Sequence, residues 1–178
     1  MLHFHMYGQG VLGSSADENA ALMQPLMDDR ALLQSRIGLS VEVLRKQKEV
    51  DQERIAAMGY CFGGLCVLDL ARSEADLLGV ASFHGLFSSP GNTGDNRISA
   101  KVLAMHGWDD PMAKPDQVTA LAEELTSMGA DWQIHAYGNT LHAFTNPAAD
   151  DVKFGTVYNA QADNRSWQSL QLFLAEIF

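Results

Sequence analysis

The sequence predicts an α/β protein with a mostly parallel sheet and helices on both faces, and three observations carry that expectation. From residue 54 onward, short apolar runs of strand length alternate with stretches of helical period. The last stretch, 163–178, sets Trp167, Leu170, Phe173, Leu174 and Ile177 on one helical face, suited to a helix that closes over a sheet. Hydrophobic residues make up 47% and charged residues 19% of the chain, enough apolar material for a core and too little charge for disorder. At 178 residues, the chain reads as a single domain, since domains run to roughly 100–200 residues.

Taken in order, residues 1–13 (MLHFHMYGQGVLG) are a short apolar segment running into a glycine-rich turn, where a complete α/β domain usually has more strand in front. Ser15 and Glu18 offer a capping box for a helix that Pro25 shortens or kinks. A second helix spans about 29–48, with Gly38 weakening its middle, so two short helices are an equal reading. Residues 54–58 (RIAAM) read as a buried strand, 62–73 as a helix, and 77–84 and 100–106 as further strands. Residues 88–97 (SSPGNTGDNR) read as a surface loop. Pro115 starts a helix with Val118, Leu121, Ala122 and Leu125 on one face, and 131–137 is the last strand.

Composition excludes several functions. A formal net charge of −10 is a poor match to a phosphate backbone, so nucleic acid is not expected as a partner. No apolar run approaches the roughly 20 residues needed to cross a bilayer and no basic-then-apolar leader opens the chain, so a cytoplasmic protein with no membrane partner is expected. The two cysteines, Cys61 and Cys66, suit a reducing compartment better than a disulfide framework. Neither C-x-x-C nor H-E-x-x-H occurs, and the alternation of His3 and His5 near the terminus is read as chance, so no metal and no cofactor is expected.

The strongest local signal is Gly59-Tyr60-Cys61-Phe62-Gly63-Gly64, at the junction of a predicted strand and a predicted helix. It has the G-x-Nu-x-G form of a nucleophile elbow, with cysteine as the nucleophile. The turn is tight, so Gly59 and Gly63 are the nearly side-chain-free positions where strand and helix approach. The Phe62 N–H is then the natural donor to a developing oxyanion. On the hexapeptide alone, a packing turn around a buried thiol is an equal reading. Order separates the two, because an elbow hydrolase presents nucleophile, acid and histidine in that sequence, each after a strand. Gly107-Trp108-Asp109-Asp110-Pro111 follows the third strand, and Gly138-Asn139-Thr140-Leu141-His142-Ala143-Phe144 follows the fourth.

These motifs, G-Y-C-F-G-G, H-G-W-D-D-P and Y-G-N-T-L-H-A-F, resemble those of the dienelactone hydrolase family within the α/β-hydrolase fold, from about residue 6 to the C-terminus. The resemblance implies Cys61 as nucleophile, His142 as base and Asp110 as the acid that orients it, with Asp109 as the fallback. It implies hydrolysis of a small-molecule carboxylic ester or lactone through a thioester acyl-enzyme, without a cofactor.

Neighbouring residues carry blander readings. Cys66 reads as a core thiol. His84 and His106 each end a strand on the ligand-binding edge and read either as pocket lining or as hydrogen-bonded structural residues, the latter by default. Tyr60, Trp108 and Phe144, with Phe62, border the motifs and read as acyl-pocket walls or as core.

The chain departs from the family in lacking the first strands, the loop donating the second oxyanion N–H, and a glutamate beside the resting cysteine. His5 stands where the family has Asp, and Gln9 about where some lactone hydrolases have Arg, which argues against a dienelactone as substrate. The expectation is an N-terminally shortened domain. It is either a shortened copy or one whose sheet edge is covered by a second chain in a homo-oligomer. The competing reading is a catalytically silent remnant with a binding or assembly role. A thiol redox or acyl-transfer role lacks a resolving cysteine at close spacing.

Overall fold

The computed structural model describes residues 3–178 and divides into two compact units, Met1–Gln52 and Glu53–Phe178. In the first unit, helices α1 (Ala16–Asp28) and α2 (Arg30–Arg45) pack on one another. Ser15 caps α1 through the Glu18 N–H, but the Glu18 carboxylate bonds the Ser14 N–H and hydroxyl rather than closing the box on Ser15. Pro25 lies inside α1, which runs three residues past it. Asp29 caps α2 through the Leu32 N–H, and α2 passes Gly38 unbroken because Leu33, Ile37 and Val41, spaced by four, are buried along one face.

The second unit carries a four-stranded parallel sheet in the order β1 (Ala56–Tyr60), β2 (Gly79–Phe83), β3 (Lys101–Gly107) and β4 (Trp132–Tyr137). Between them run α3 (Phe62–Arg72) and α4 (Pro115–Ser127), with an irregular connection from β2 to β3 that contains the expected loop. A two-stranded antiparallel hairpin, β5 (Asp150–Asp151) with β6 (Thr156–Val157), precedes the closing helix α5 (Ala160–Ile177). That hairpin has no signal in the sequence, being too short for periodicity.

Side chains alternate across a strand, which sorts the helices between faces. Ala81 and Phe83 of β2 and Leu103 and Met105 of β3 pack against Ala162, Leu170 and Phe173 of α5. Ser82 on the opposite face lies against Gly64 of α3, and α4 is tied to that side by an ion pair between the buried Arg72 and the partly exposed Glu124. The helices therefore cover both faces, as expected. One residue of α5 departs from expectation: Trp167 is 50% exposed, because Ala162, Ser166, Leu170 and Phe173 form the buried face one position away. Among the described residues no helix is long and apolar enough to cross a membrane.

Arg72 is the largest fully buried side chain. Its guanidinium meets Asp69 at 3.1 Å and Glu124 at 2.6 Å and donates to the Phe87 carbonyl at 3.2 Å, pinning α3, α4 and the β2–β3 connection together. Arg72→Ala leaves the buried Asp69 carboxylate without its cation, and we expect a loss of about 3–5 kcal/mol in urea unfolding, largely recovered by Asp69→Asn together with Arg72→Met. Equal stabilities of wild type and Arg72→Ala would contradict this account.

Candidate active site

Parallel strands in register bring their C-terminal ends to one edge, and each end delivers one polar side chain there. Tyr60 pairs with Phe83, Phe83 with Met105 and Met105 with His135, so the residues just past β1 and β2, Cys61 and His84, stand side by side. Asp110 follows β3 and His142 follows β4.

Cys61 sits at the N-cap of α3 with φ 51° and ψ −120°, a left-handed conformation that L side chains rarely adopt. A Cβ on Gly59 would fall 2.1 Å from the Gly63 carbonyl oxygen, so the strand-to-helix turn closes only over a glycine. Gly63 departs from expectation, because a Cβ there would meet nothing within 4 Å. The second close approach is at Gly64, whose Cβ would lie 2.6 Å from the Ser82 hydroxyl and 2.8 Å from the Gly85 Cα. Phe62, half-buried, opens α3 with its amide in the first turn.

His142 hydrogen-bonds through Nδ1 to Asp110 Oδ2 at 2.7 Å, with both side chains buried. The other Asp110 oxygen accepts from the Met112 N–H at 2.7 Å. Asp109 is exposed and points elsewhere, accepting the Thr140 N–H at 3.2 Å and so bracing the loop that carries His142. The hairpin holds the His142 backbone on both sides: its N–H donates to Gly155 at 2.9 Å and its carbonyl accepts from Val157 at 3.1 Å. Gly155 has φ 87°, and a Cβ there would lie 2.2 Å from Pro111. Neither Gly155 nor the hairpin stands out in the sequence.

His84 comes closer to the thiol than the default structural reading implies. Its Nδ1 lies 3.4 Å from Cys61 Sγ and 3.3 Å from the Cys61 N, while Nε2 pairs with the Thr145 hydroxyl at 2.8 Å. Because the Cys61 N–H can only donate, Nδ1 carries the lone pair and Nε2 the proton. Phe144 is fully buried in the core and backs the His84 ring edge-on at a centroid distance of 4.9 Å. Tyr60 stacks on Phe83 at 4.6 Å, and Tyr60 and Trp108 are the two flanking aromatics that remain exposed. His106 is fully buried with neither ring nitrogen hydrogen-bonded, its ring against Phe87, so the hydrogen-bonded structural reading does not describe it. Cys66 is buried in α3.

Among the described residues, Cys61, His84 and His142 form the one group of three potential metal ligands, with donor atoms within 4.8 Å of one another. No zinc spacing motif could reveal it, because the three residues follow three different strands.

The two histidines are driven to opposite protonation states. At His142, burial disfavours the charge, but hydrogen bonds to Asp110 and Cys61 and the attraction of both outweigh it and hold the imidazole up to about 9. At His84, burial, reinforced by the charge on His142, pushes the ring down to about 3 against the pull of Asp110. Burial likewise lowers His106.

A model of the dienelactone hydrolase family matches residues 2–178. The chain belongs to the dienelactone hydrolase family. It is 31% identical over 154 residues to an uncharacterized protein of Caenorhabditis elegans, K02A2.1, matching 85% of this chain and 98% of that one. A putative carboxymethylenebutenolidase of Synechocystis sp. is 29% identical over 140 residues, and there the match covers 72% of this chain but only 53% of the relative. Among solved structures, a dienelactone hydrolase-like promiscuous phosphotriesterase from metagenomic libraries, P91, superposes with a TM-score of 0.88 at 35% identity, covering 97% of this chain and 72% of that one.

Two outcomes follow from this geometry. Gly59→Ala should cost about 1–3 kcal/mol or more through overpacking against the α3 backbone, whereas Gly63→Ala should leave stability unchanged or raise it by roughly 0.5–1 kcal/mol; thermal melts of both decide it. The second concerns pH. Below 6.5 the unfolded chain protonates the equivalent of His84 and the native state does not, so stability falls as pH drops towards 3. His142 contributes fully below 6.5 and loses its contribution as pH rises through about 9. The pair places maximal stability near 6.5, with His84→Gln flattening the acid limb of a Tm-versus-pH curve and His142→Gln the alkaline limb. Unchanged limbs in both variants would contradict the assignment.

Proposed function

We propose that the chain hydrolyses a small carboxylic ester or lactone with Cys61 as nucleophile, His142 as proton carrier and Asp110 as the residue that orients it. The observation that carries this reading is the buried 2.7 Å bond between His142 Nδ1 and Asp110, on a histidine whose other nitrogen lies within 4.8 Å of the Cys61 sulfur at a left-handed elbow. Family membership and the similarity to a putative carboxymethylenebutenolidase support the same bond class.

In this reading Asp110 fixes the tautomer that leaves His142 Nε2 towards Cys61. His142 Nε2 holds the proton it shares with Cys61, and the sulfur attacks the carbonyl carbon. The C–S bond forms and the carbonyl electrons move to oxygen, where the Phe62 N–H at the start of α3 is the proposed donor. An imidazole held protonated up to about 9 keeps its proton during attack and delivers it to the departing alkoxide as the C–O bond breaks. Water then attacks the thioester, passing a proton to His142, and the acid leaves as the C–S bond breaks, restoring Cys61 and the protonated His142. Tyr60 and Trp108, the exposed aromatics flanking the nucleophile and acid, are the proposed walls of the acyl site. Esters and lactones are favoured over amides because an amine leaves poorly without a stronger acid.

The test is single-turnover hydrolysis of a short-chain aryl ester with intact-mass detection of the acyl-enzyme. We expect a burst and a mass adduct on Cys61 in wild type, neither in Cys61→Ala, and a loss of about 10²–10⁴-fold in turnover for His142→Ala and Asp110→Asn. An electrophile should label Cys61 much faster than Cys66, with the difference lost in His142→Ala. Folded wild type that releases alcohol no faster than buffer and labels both thiols equally slowly would make the site a catalytically silent one.

A further inference from the structure

Cys61 lies against two imidazoles rather than one, and hydrolysis as derived above uses only His142. His84 sits on a different strand end, with its lone-pair nitrogen 3.4 Å from the sulfur. We propose that Cys61 Sγ, His84 Nδ1 and His142 Nε2 form a site for a borderline-soft divalent ion of the zinc class, and that the bound ion silences the nucleophile. The binding stands on geometry alone; the silencing rests on the catalytic reading of Cys61 and His142.

Distances favour the assignment. Zn–S bonds of about 2.3 Å and Zn–N bonds of about 2.0–2.1 Å at tetrahedral angles set sulfur and nitrogen roughly 3.5 Å apart, and the Cys61–His84 pair is already at 3.4 Å. All three donors lie within 4.8 Å of one another, so the widest pair closes by no more than roughly 1–1.5 Å, within reach of a side-chain rotation. Binding displaces the 3.3 Å approach of the Cys61 N–H to His84 Nδ1, and that N–H keeps the Phe83 carbonyl at 3.1 Å as its acceptor.

Each ring is also oriented from its far side. His142 is held by Asp110 at 2.7 Å and His84 by the Thr145 hydroxyl at 2.8 Å, the outer partners that fix tautomer and ring plane in metal-binding histidines. The backbones are pinned as well: His84 donates its N–H to the Met105 carbonyl and His142 is clamped by the hairpin. Thiolate with imidazole is a donor set for zinc-class ions and a poor one for magnesium or calcium, which take oxygen. Three protein ligands leave a fourth position for water. Cys61 is half-buried and offers the way in, while both histidines are buried behind it. Binding replaces the one proton shared by Cys61 and His142 with metal–sulfur and metal–nitrogen bonds and releases it, one per ion, with no oxidant or reductant involved.

Anaerobic titration with Co²⁺ as the probe tests the site without using activity. We expect one ion per chain, with tetrahedral ligand-field bands and a sulfur-to-cobalt charge-transfer band, the same in Cys66→Ala, absent in Cys61→Ser, and at least about tenfold weaker in His84→Gln. Should His84→Gln fold poorly, wild type alone decides: Zn²⁺ should displace Co²⁺ and protect Cys61 from iodoacetamide, with EDTA reversing both. No thiolate band in wild type, or a band that survives Cys61→Ser, overturns the site. Ester hydrolysis by the metal-free protein should fall with the occupancy the spectrum reports, and hydrolysis unaffected at full occupancy overturns the silencing. A cobalt spectrum as expected on a protein that never hydrolyses esters supports the site and sinks the catalytic reading instead.

Discussion

In-register parallel pairing is the constraint on which the rest depends. With the four strands of the second unit running the same way, every strand ends at the same edge, and the residue just past each end has only a loop or a helix start to hold it. Cys61, His84, Asp110 and His142 are delivered there by four successive strands. A one-residue slip between β1 and β2 would carry the thiol away from His84 and reverse which side chains of β2 face α5. The core that locks the register, Ala81, Phe83, Leu103 and Met105 under Leu170 and Phe173, is therefore what aligns the chemistry above it.

Close backbone approach is the second requirement, and it is met position by position. Gly59 lets the elbow close over the Gly63 carbonyl, Gly64 and Gly85 let α3 settle on β2, and a Cβ on Gly107 would lie 2.5 Å from the Thr140 carbonyl in the histidine loop. Where that loop needs a further brace, the short hairpin supplies it from the far side, with Gly155 packed against Pro111 beside the acid. The acid and the histidine are thus held by one interlocked set of loops, which explains a short bond between two buried groups.

Electrostatics then separates two chemically identical side chains. His142 gains a carboxylate and a thiol, and His84 gains a hydroxyl, an aromatic edge and the repulsion of His142. One ring is kept charged and the other neutral within a centroid distance of 5.2 Å. The sulfur between them has a charged ring on one side and a neutral ring's lone pair on the other.

Much of this was legible in the residues. The alternation of apolar runs and helical periods identified the parallel sheet and its two helical layers, because burial on both faces imposes those patterns locally. The elbow and the order of cysteine, aspartate and histidine pointed to Cys61, Asp110 and His142, because each motif is a few residues of strand end and turn. What depends on meetings between distant segments was not legible: the approach of His84 to the thiol, the steric need at Gly64 rather than Gly63, the bare burial of His106, the outward turn of Trp167, and the clamp by Gly155. None has a local pattern, since each is decided by which side chain faces which across strands that the chain separates by many residues. Local periodicity determines which elements form and what chemistry they carry; only the register of the sheet and the packing of its loops decide which of those groups touch.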